Sequence, residues 1–326
     1  VRLSVLVVTY ESASALEALL PALQRELQPG DELVVVDNAS RDGSAKVAGV
    51  AGARVIANRD NRGFAAACNQ AAAVATGDLL VLLNPDSIPQ PGFRAAITQP
   101  AGGEWAAWMG LVMDGDAINT SGGVVHFTGI AWAGHAVPAR RDVGFLSGAC
   151  LAIPRATWDE LGGFSPAYFM YHEDVDLSLR LRLRGARIGV TPDAVVDHDY
   201  AFAKGQVKWR MLERNRWATI VRTYPTPLLL LAGPALLALE LALWPAALAG
   251  GWAGPKARAT ADVLQSLPRL RAERRAIQDA RTVSPHAFAQ TLTAELSSPF
   301  LGPLGRSRVL TAVLRAYWAL VLRLLR

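Results

Sequence analysis

Cysteine is almost absent from this chain. Cys68 and Cys150 are the only two in 326 residues, each lies inside an apolar run, and together they exclude a disulfide framework and fit a reducing cytoplasm. Both are expected to be core packing. No leader is expected either: no basic segment precedes an apolar one near Val1, and the opening run Leu3–Val8 is too short for a signal peptide. The catalytic part is therefore expected in the cytosol. The N-terminal region has no basic, Gly-rich loop of the kind that cradles a triphosphate, which counts against nucleotidyl transfer. Acidic residues are scarce at the other end. Ala201–Arg326 holds 18 Lys/Arg and 6 Asp/Glu, a net of +12, whereas Val1–Tyr200 holds 15 and 22, a net of −7, so the overall +5 hides a dipolar molecule.

A basic tail suits nucleic acid or the anionic face of a membrane, since both attract Lys/Arg through the same field. This tail is also the most apolar part of the chain, with Pro227–Trp252 reading PLLLLAGPALLALELALWPAALAGGW. Nucleic-acid surfaces are not usually built that way, so the expected partner is a membrane and nucleic acid has only the charge behind it. Pro234, Pro245 and Glu240 interrupt the run, and a pair of short interfacial helices fits it better than one span. At the C-terminus Leu310, Val313, Leu314, Tyr317, Val321, Leu324 and Leu325 recur at helical spacing, with Arg308, Arg315, Arg323 and Arg326 between them, as in an amphipathic helix lying on lipid. The ordinary alternative is a tail packed on the rest of the protein or on a partner subunit.

At this length two regions are expected. In the first, Arg2–Val8, Glu32–Val36, Arg54–Ala57 and Leu79–Leu83 read as buried strands, and Ala13–Leu27, Gly43–Val50 and Gly63–Ala75 as helices. That alternation implies an α/β fold with a mostly parallel, doubly wound sheet and ligands at the carboxyl ends of its strands. Trp105–Ile153 is mixed and Gly-rich, with Val124–Phe127 following Gly122-Gly123 and a firmer strand expected over Phe145–Ile153. Val175–Leu183 alternates with period two, a strand pattern, yet acids (Glu173, Asp174, Asp176) come first, arginines (Arg180, Arg182, Arg184) last, and Gly185 follows. Those ends match a helix dipole and a glycine cap, so a helix is expected there.

Polar sites fall where the apolar runs end: Thr9-Tyr10-Glu11, Asp37-Asn38, Asn58 to Asn61, Asn84-Pro85-Asp86, and later Glu173-Asp174 and His198. Asp37 can accept the N3–H of uracil or thymine while Tyr10 stacks on the base; the plain alternative is an acid capping a helix. Asp86 can bridge a hard divalent cation, magnesium or manganese, to a diphosphate, although Asn-Pro-Asp is also a common turn. Beside Tyr168-Phe169-Met170-Tyr171, the carboxylates of Glu173 and Asp174 can have raised pKa values suited to a base, or can simply face a helix dipole. A neutral His198 can complete a metal shell or contact the diphosphate. Gly63, Gly148, Gly162 and Gly163 permit close backbone approach to a ligand, or make turns. The order of these sites points to nucleotide-sugar chemistry.

Taken together, VVTYESA (Val7–Ala13), VVVDNASRDGS (Val34–Ser44), NRGFAAACNQA (Asn61–Ala71), LLNPD (Leu82–Asp86), SGACLAIPR (Ser147–Arg155), GGFSPAYFMYHEDVDLSLR (Gly162–Arg180) and His198 resemble the inverting glycosyltransferases of family 2, particularly the bacterial rhamnosyltransferase-like branch. The resemblance covers about Val1–Tyr224 and implies a GT-A fold over 1–223, with a nucleotide-binding half (1–100) and an acceptor-binding half (101–223), followed by a membrane-associating helical region (224–326). It implies that Thr9, Tyr10, Glu11, Asp37, Asn38, Asn61, Gly63 and Asn84 hold the nucleotide, Asp86 and His198 the metal, and Asp174 with Glu173 the catalytic proton. Gly148, Tyr171 and His172 would face the acceptor. Asn84 stands where the family often has the first Asp of Asp-X-Asp, which removes one anionic ligand. The implied donor is dTDP-rhamnose, with UDP-galactofuranose or another UDP-hexose behind it. The implied acceptor is polyprenyl-diphosphate-linked or another glycan, in cell-envelope synthesis at the cytoplasmic face of the inner membrane. Self-association is left open. A non-catalytic nucleotide-binding scaffold is a further reading, opposed by the intact Asp86 and Asp174.

Overall fold

The structure, a computed structural model, describes residues 1–136, 139–198, 205–296 and 307–326. Two compact units emerge. The first comprises Val1–Gly123, Ala133–Ser178 and Ala186–Phe202, and the second Val124–Trp132, Leu179–Gly185 and Ala203–Arg326. These units do not follow a division at residue 223, because the helix at Gly205–Thr223 clusters with the helices after it.

In the first unit β1 (Leu3–Thr9), α1 (Ala13–Glu26), β2 (Glu32–Asp37), α2 (Ser44–Val50), β3 (Arg54–Ala57), α3 (Phe64–Val74) and β4 (Leu79–Leu83) alternate as the apolar runs require. β1 and β4 are buried along their whole length and β2 over Leu33–Asp37, so a continuous Val/Leu run suits strands covered on both faces. They pair in parallel in the order β3-β2-β1-β4. The register sets Thr9 opposite Asp37, so both side chains reach the same end of the sheet.

Beyond β4 the sheet is mixed. The elements β5 (Ser87–Pro89), α4 (Phe93–Thr98), β6 (Trp105–Asp114), β7 (Ala117–Thr120), β8 (Gly123–Val125), β9 (Ala131–Ala133), β10 (Arg141–Asp142), β11 (Cys150–Pro154), α5 (Arg155–Leu161), α6 (Glu173–Leu183) and β12 (Arg187–His198) complete this part of the chain. The full order is β10-β12-β6-β11-β4-β1-β2-β3, with β5 on β12 and β7 on β6; β8 and β9 form a separate ribbon. β11 runs antiparallel to both neighbours, whereas β12 is parallel to β6. The strand expected over Phe145–Ile153 is confined to Cys150–Pro154. Leu146 leaves the ladder because its N–H donates to Ser178 Oγ (3.0 Å), and the N–H of Gly148 is taken by Asp174 Oδ2 (3.1 Å). Over Val175–Leu183 the helix prevails against the alternating pattern. Almost every residue of α6 is buried, and period-two alternation has no diagnostic value in an element covered on all sides.

The second unit is helical: α7 (Gly205–Thr223), α8 (Thr226–Ala249), α9 (Ala253–Asp279), α10 (Pro285–Ala289) and α11 (Arg308–Leu324). Pro234 and Pro245 do not split Pro227–Trp252 into two short helices; α8 is continuous over 24 residues. Each internal proline removes a backbone hydrogen bond, and tertiary contacts anchor α8 at its start and between the two prolines. Arg274 of α9 donates to the carbonyls of Val221 and Tyr224 (2.7 and 2.6 Å) and to Thr226 Oγ1 (2.9 Å), while Glu240 pairs with Arg216 and Lys256. α11 docks through Trp318, which stacks on Phe127 with ring centroids 4.7 Å apart. Cys68 and Cys150 are free and buried, as expected, and burial pushes the Cys150 thiol up to about 12.

Candidate active site

The sequence-derived site residues lie in the first unit and are joined by a string of contacts. At the nucleoside end the N–H of Asn38 donates to the Thr9 carbonyl (2.9 Å) and that of Asn58 to the Asp37 carbonyl (2.8 Å), locking three strand ends together. Asp37 is 3% exposed; its Oδ2 accepts from the N–H of Ser40 (3.1 Å), while Oδ1 is buried without a partner, as is Thr9 Oγ1. An unpaired buried carboxylate oxygen costs on the order of 1–3 kcal/mol, so Asp37 Oδ1 is fit to receive a donor from a ligand. Tyr10 is half exposed, as a stacking surface requires. Glu11 accepts from the N–H of Arg41 through Oε1 (2.9 Å). Replacing Asp37 with Ala should weaken thymidine-diphosphate binding by roughly 10- to 100-fold, the worth of a charged hydrogen bond. Calorimetry showing a change below about threefold would reduce Asp37 to a turn residue.

From Asn38 the string passes to Gly63, whose carbonyl accepts from Asn38 Nδ2 (3.3 Å) and whose N–H donates to Asn61 Oδ1 (2.9 Å). Gly63 has φ of 82°, and a Cβ there would stand 2.4 Å from the Phe169 carbonyl oxygen. The N–H of Phe64 donates to that same oxygen (2.7 Å), tying the start of α3 to the aromatic segment before α6. Four described non-glycine residues have positive φ, namely Glu11, Ala39, Tyr171 and His172 at 51°, 66°, 68° and 67°. All four sit in loops that carry site residues, and such backbone strain concentrates where function demands a fixed geometry.

Tyr171 and His172 deliver the chain into α6. Asp174 is held by two N–H groups, Gly148 to Oδ2 (3.1 Å) and Val175 to Oδ1 (2.8 Å), and keeps partial exposure. Burial pushes its carboxyl up to about 6, against the downward pull of those hydrogen bonds. Glu173 is more deeply buried, with Oε2 unpartnered; burial, then the neighbouring Asp174 and Asp176, hold its carboxyl well above the ordinary range. Both groups bind protons more tightly folded than unfolded, so they cost stability as pH rises from about 4, for Asp174 through about 6 and for Glu173 beyond the usual carboxylate range. Replacing Glu173 with Gln should therefore raise the melting temperature at pH 8 and leave it nearly unchanged at pH 4. An equal shift at both pH values would contradict a raised Glu173 pKa.

From Gly148 the string turns to the metal candidates. The N–H of Asn84 donates to the Ala149 carbonyl (3.2 Å), and His198 Nε2 lies 3.2 Å from Asn84 Nδ2 and 3.1 Å from Asp86 Oδ1. The approach to Asp86 is not aligned as a hydrogen bond, since that oxygen has no bonded partner. A carboxylate oxygen and an imidazole nitrogen about 3 Å apart have the spacing of two adjacent ligands on one octahedral cation. The donor set thus fits magnesium or manganese. Among the described residues no group of three or more His, Cys, Asp or Glu could hold a metal ion. Asp86 and His198 also line a cavity of about 390 Å³ with Gln90, Asp114, Asp116 and Asp197. Asp114-Gly115-Asp116 carries no signal in the sequence beyond that of the turn between β6 and β7.

A family model for Glycosyl transferase family 2 matches residues 4–156, and one for Glycosyl transferase family group 2 matches residues 111–322, well over half of the chain. The chain belongs to glycosyltransferase family 2. Among curated proteins this glycosyltransferase is similar to N-acetylglucosaminyl-diphospho-decaprenol L-rhamnosyltransferase of Mycobacterium tuberculosis (strain CDC 1551 / Oshkosh), with 29% identity over 240 residues, 63% of this chain and 78% of the relative. Among solved structures it resembles the mannosyltransferase PcManGT of Pyrobaculum calidifontis in complex with GDP-Man and Mn2+, with a TM-score of 0.52, 21% identity, and 86% and 85% of the two chains covered. It also resembles GalNAc-T7 with UDP, GalNAc and Mn2+, with a TM-score of 0.59 and 17% identity over 69% of this chain and 48% of that one. The glycosyltransferase has the GT-A fold that these neighbours share.

Proposed function

We propose that this glycosyltransferase moves L-rhamnose from dTDP-rhamnose to a polyprenyl-diphosphate-linked acceptor, with inversion at the anomeric carbon, at the cytoplasmic face of the membrane. The observation that carries the chemistry is Asp174, a carboxylate fixed by two backbone N–H groups and with its pKa moved to about 6, where a base is both deprotonated near neutrality and strong enough to take a proton. The rhamnosyl and lipid-linked assignments are supported by the mycobacterial relative.

Asp174 takes the proton of an acceptor hydroxyl, whose oxygen forms the new bond to the anomeric carbon. The bond from that carbon to the nucleoside diphosphate breaks on the opposite side, and the diphosphate leaves with the electron pair. Asp37 orients the donor by accepting the base N3–H, and Tyr10 covers the ring. Asp86 and His198 would hold the divalent cation, which when bound neutralises charge growing on the leaving diphosphate. Residues 1–100 together with His198 would then serve the donor, and Asp174 the acceptor.

Donor hydrolysis by the purified protein, measured across dTDP-rhamnose, UDP-galactofuranose and UDP-hexoses with and without manganese, tests the reading. Fastest turnover of dTDP-rhamnose, lost on chelation, is expected. A clear preference for a UDP-sugar would overturn the rhamnosyl assignment, and full activity in chelator would remove the cation.

A further inference from the structure

We infer that α8 does not cross the membrane but lies along its surface, with a leucine stripe of α8 and the apolar stripe of α11 facing an anionic bilayer. This deepens the membrane-side reading above and rests on it. By length and composition α8 is the one described helix able to span a bilayer, and only 17% of its most apolar window is buried. A helix hydrophobic all round is normally covered on every side. Here Leu228, Ala232, Leu236 and Ala247 are covered by the unit, whereas Leu230, Leu237, Leu241 and Leu248 are 61–72% exposed. At 100° per residue these four leucines fall within about 40° of one another, one straight line along the helix.

Spanning is opposed by what α8 is bolted to. Glu240, midway along it, pairs with Lys256 Nζ (2.7 Å) and Arg216 Nη2 (3.2 Å) and accepts from Trp217 Nε1 (3.2 Å). Lys256 and Arg216 are almost wholly buried and share a second acid, Glu213 (2.9 and 3.2 Å). Breaking such a set leaves uncompensated buried charge. α9 reaches both this midpoint and, through Arg274, the start of α8, so α8 cannot enter the hydrocarbon without drawing in a helix that carries Arg258, Asp262, Arg269, Arg271, Glu273 and Arg275. Charged side chains at that depth are strongly disfavoured.

An anionic lipid surface is the occupant that the charge selects. The segment from Ala201 onward has a net charge of +12. On α11, which Tyr317 ties to α8 through a hydrogen bond to the Leu231 carbonyl (2.5 Å), Val309, Val313, Leu320 and Leu324 are exposed in a second stripe, with Arg308, Arg315 and Arg323 on the same helix. Apolar area plus cationic flanks is the chemistry of an in-plane interfacial helix.

Two measurements on the full chain test this. In flotation with vesicles of phosphatidylglycerol and phosphatidylcholine in equal parts, the wild type should float and bind phosphatidylcholine alone far less. The double variant Leu237→Glu/Leu241→Glu should lose roughly tenfold or more of its binding while hydrolysing donor sugar in solution like the wild type. In intact vesicles an impermeant maleimide should label Ala257→Cys on α9, whereas vesicles should protect Leu237→Cys; the native thiols are buried. Labelling of Ala257→Cys only after detergent would establish a span. Undiminished flotation of the double variant would remove the leucine stripe from the contact. A wild-type dimer that ignores vesicles and is dissolved by the double variant would assign the face to a second copy of the chain. Wild-type flotation without rhamnosyl transfer would overturn the donor assignment and leave this surface standing.

Discussion

Replacing Asp174 with Asn is expected to abolish turnover while donor binding persists. The asparagine carbonyl can still accept from Gly148 or Val175, so the loop keeps its shape, but the group that takes the acceptor proton is gone. A positioned base contributes about 10²- to 10⁴-fold to a rate, and a loss of that size in kcat with the donor KM within about twofold is the signature of an interaction made in the transition state. The pH profile supplies an independent reading. With the carboxyl at about 6, wild-type kcat should fall by about tenfold per pH unit below that value as the base is protonated. The variant should lose this dependence. An Asn variant retaining more than a tenth of the wild-type rate would transfer the role elsewhere.

The second large effect is expected at Gly63, far from Asp174 in sequence. In Gly63→Ala the new methyl would stand 2.4 Å from the Phe169 carbonyl oxygen, which is backbone and cannot swing aside, at a φ of 82° that side chains rarely adopt. Conformational strain of this kind costs about 1–3 kcal/mol before the collision is counted. Relief requires α3 and the Phe169 segment to separate, breaking the Phe64–Phe169 hydrogen bond and shifting Tyr171, His172 and Asp174. A melting temperature lower by several degrees and loss of transfer activity should appear together. A variant as stable and active as the wild type would mean that this close approach is not needed.

Much of the first unit was legible because its strands are covered on both faces and read as unbroken apolar runs, with polar residues where they end. Thr9, Asp37 and Asn84 stand at or just after those ends. The second half of the sheet was harder. Leu146 and Gly148 bond to Ser178 and Asp174 instead of a neighbouring strand, and nothing local in Phe145–Ile153 announces that exchange. β5 is a three-residue strand formed by pairing with β12, a partner more than a hundred residues away. α8 runs on through its own prolines, and Glu240 between them pairs with Arg216 and Lys256, partners that nothing local in the run announces. Asp114 and Asp116 join Asp86 only through the fold, and a turn of Asp-Gly-Asp carries no chemical signal by itself.

The peptide units at Gly148 and Ala149 are neighbours, yet one grips the carboxylate of Asp174 and the other receives the N–H of Asn84. They act as a ruler. On the proposed reading, the separation between the Asp174 carboxylate and the edge of the sheet that would bear the diphosphate is set by two adjacent peptide units and the hydrogen bonds they make. A change of one peptide unit at Gly148 or Ala149 would therefore be felt at both Asp174 and Asn84.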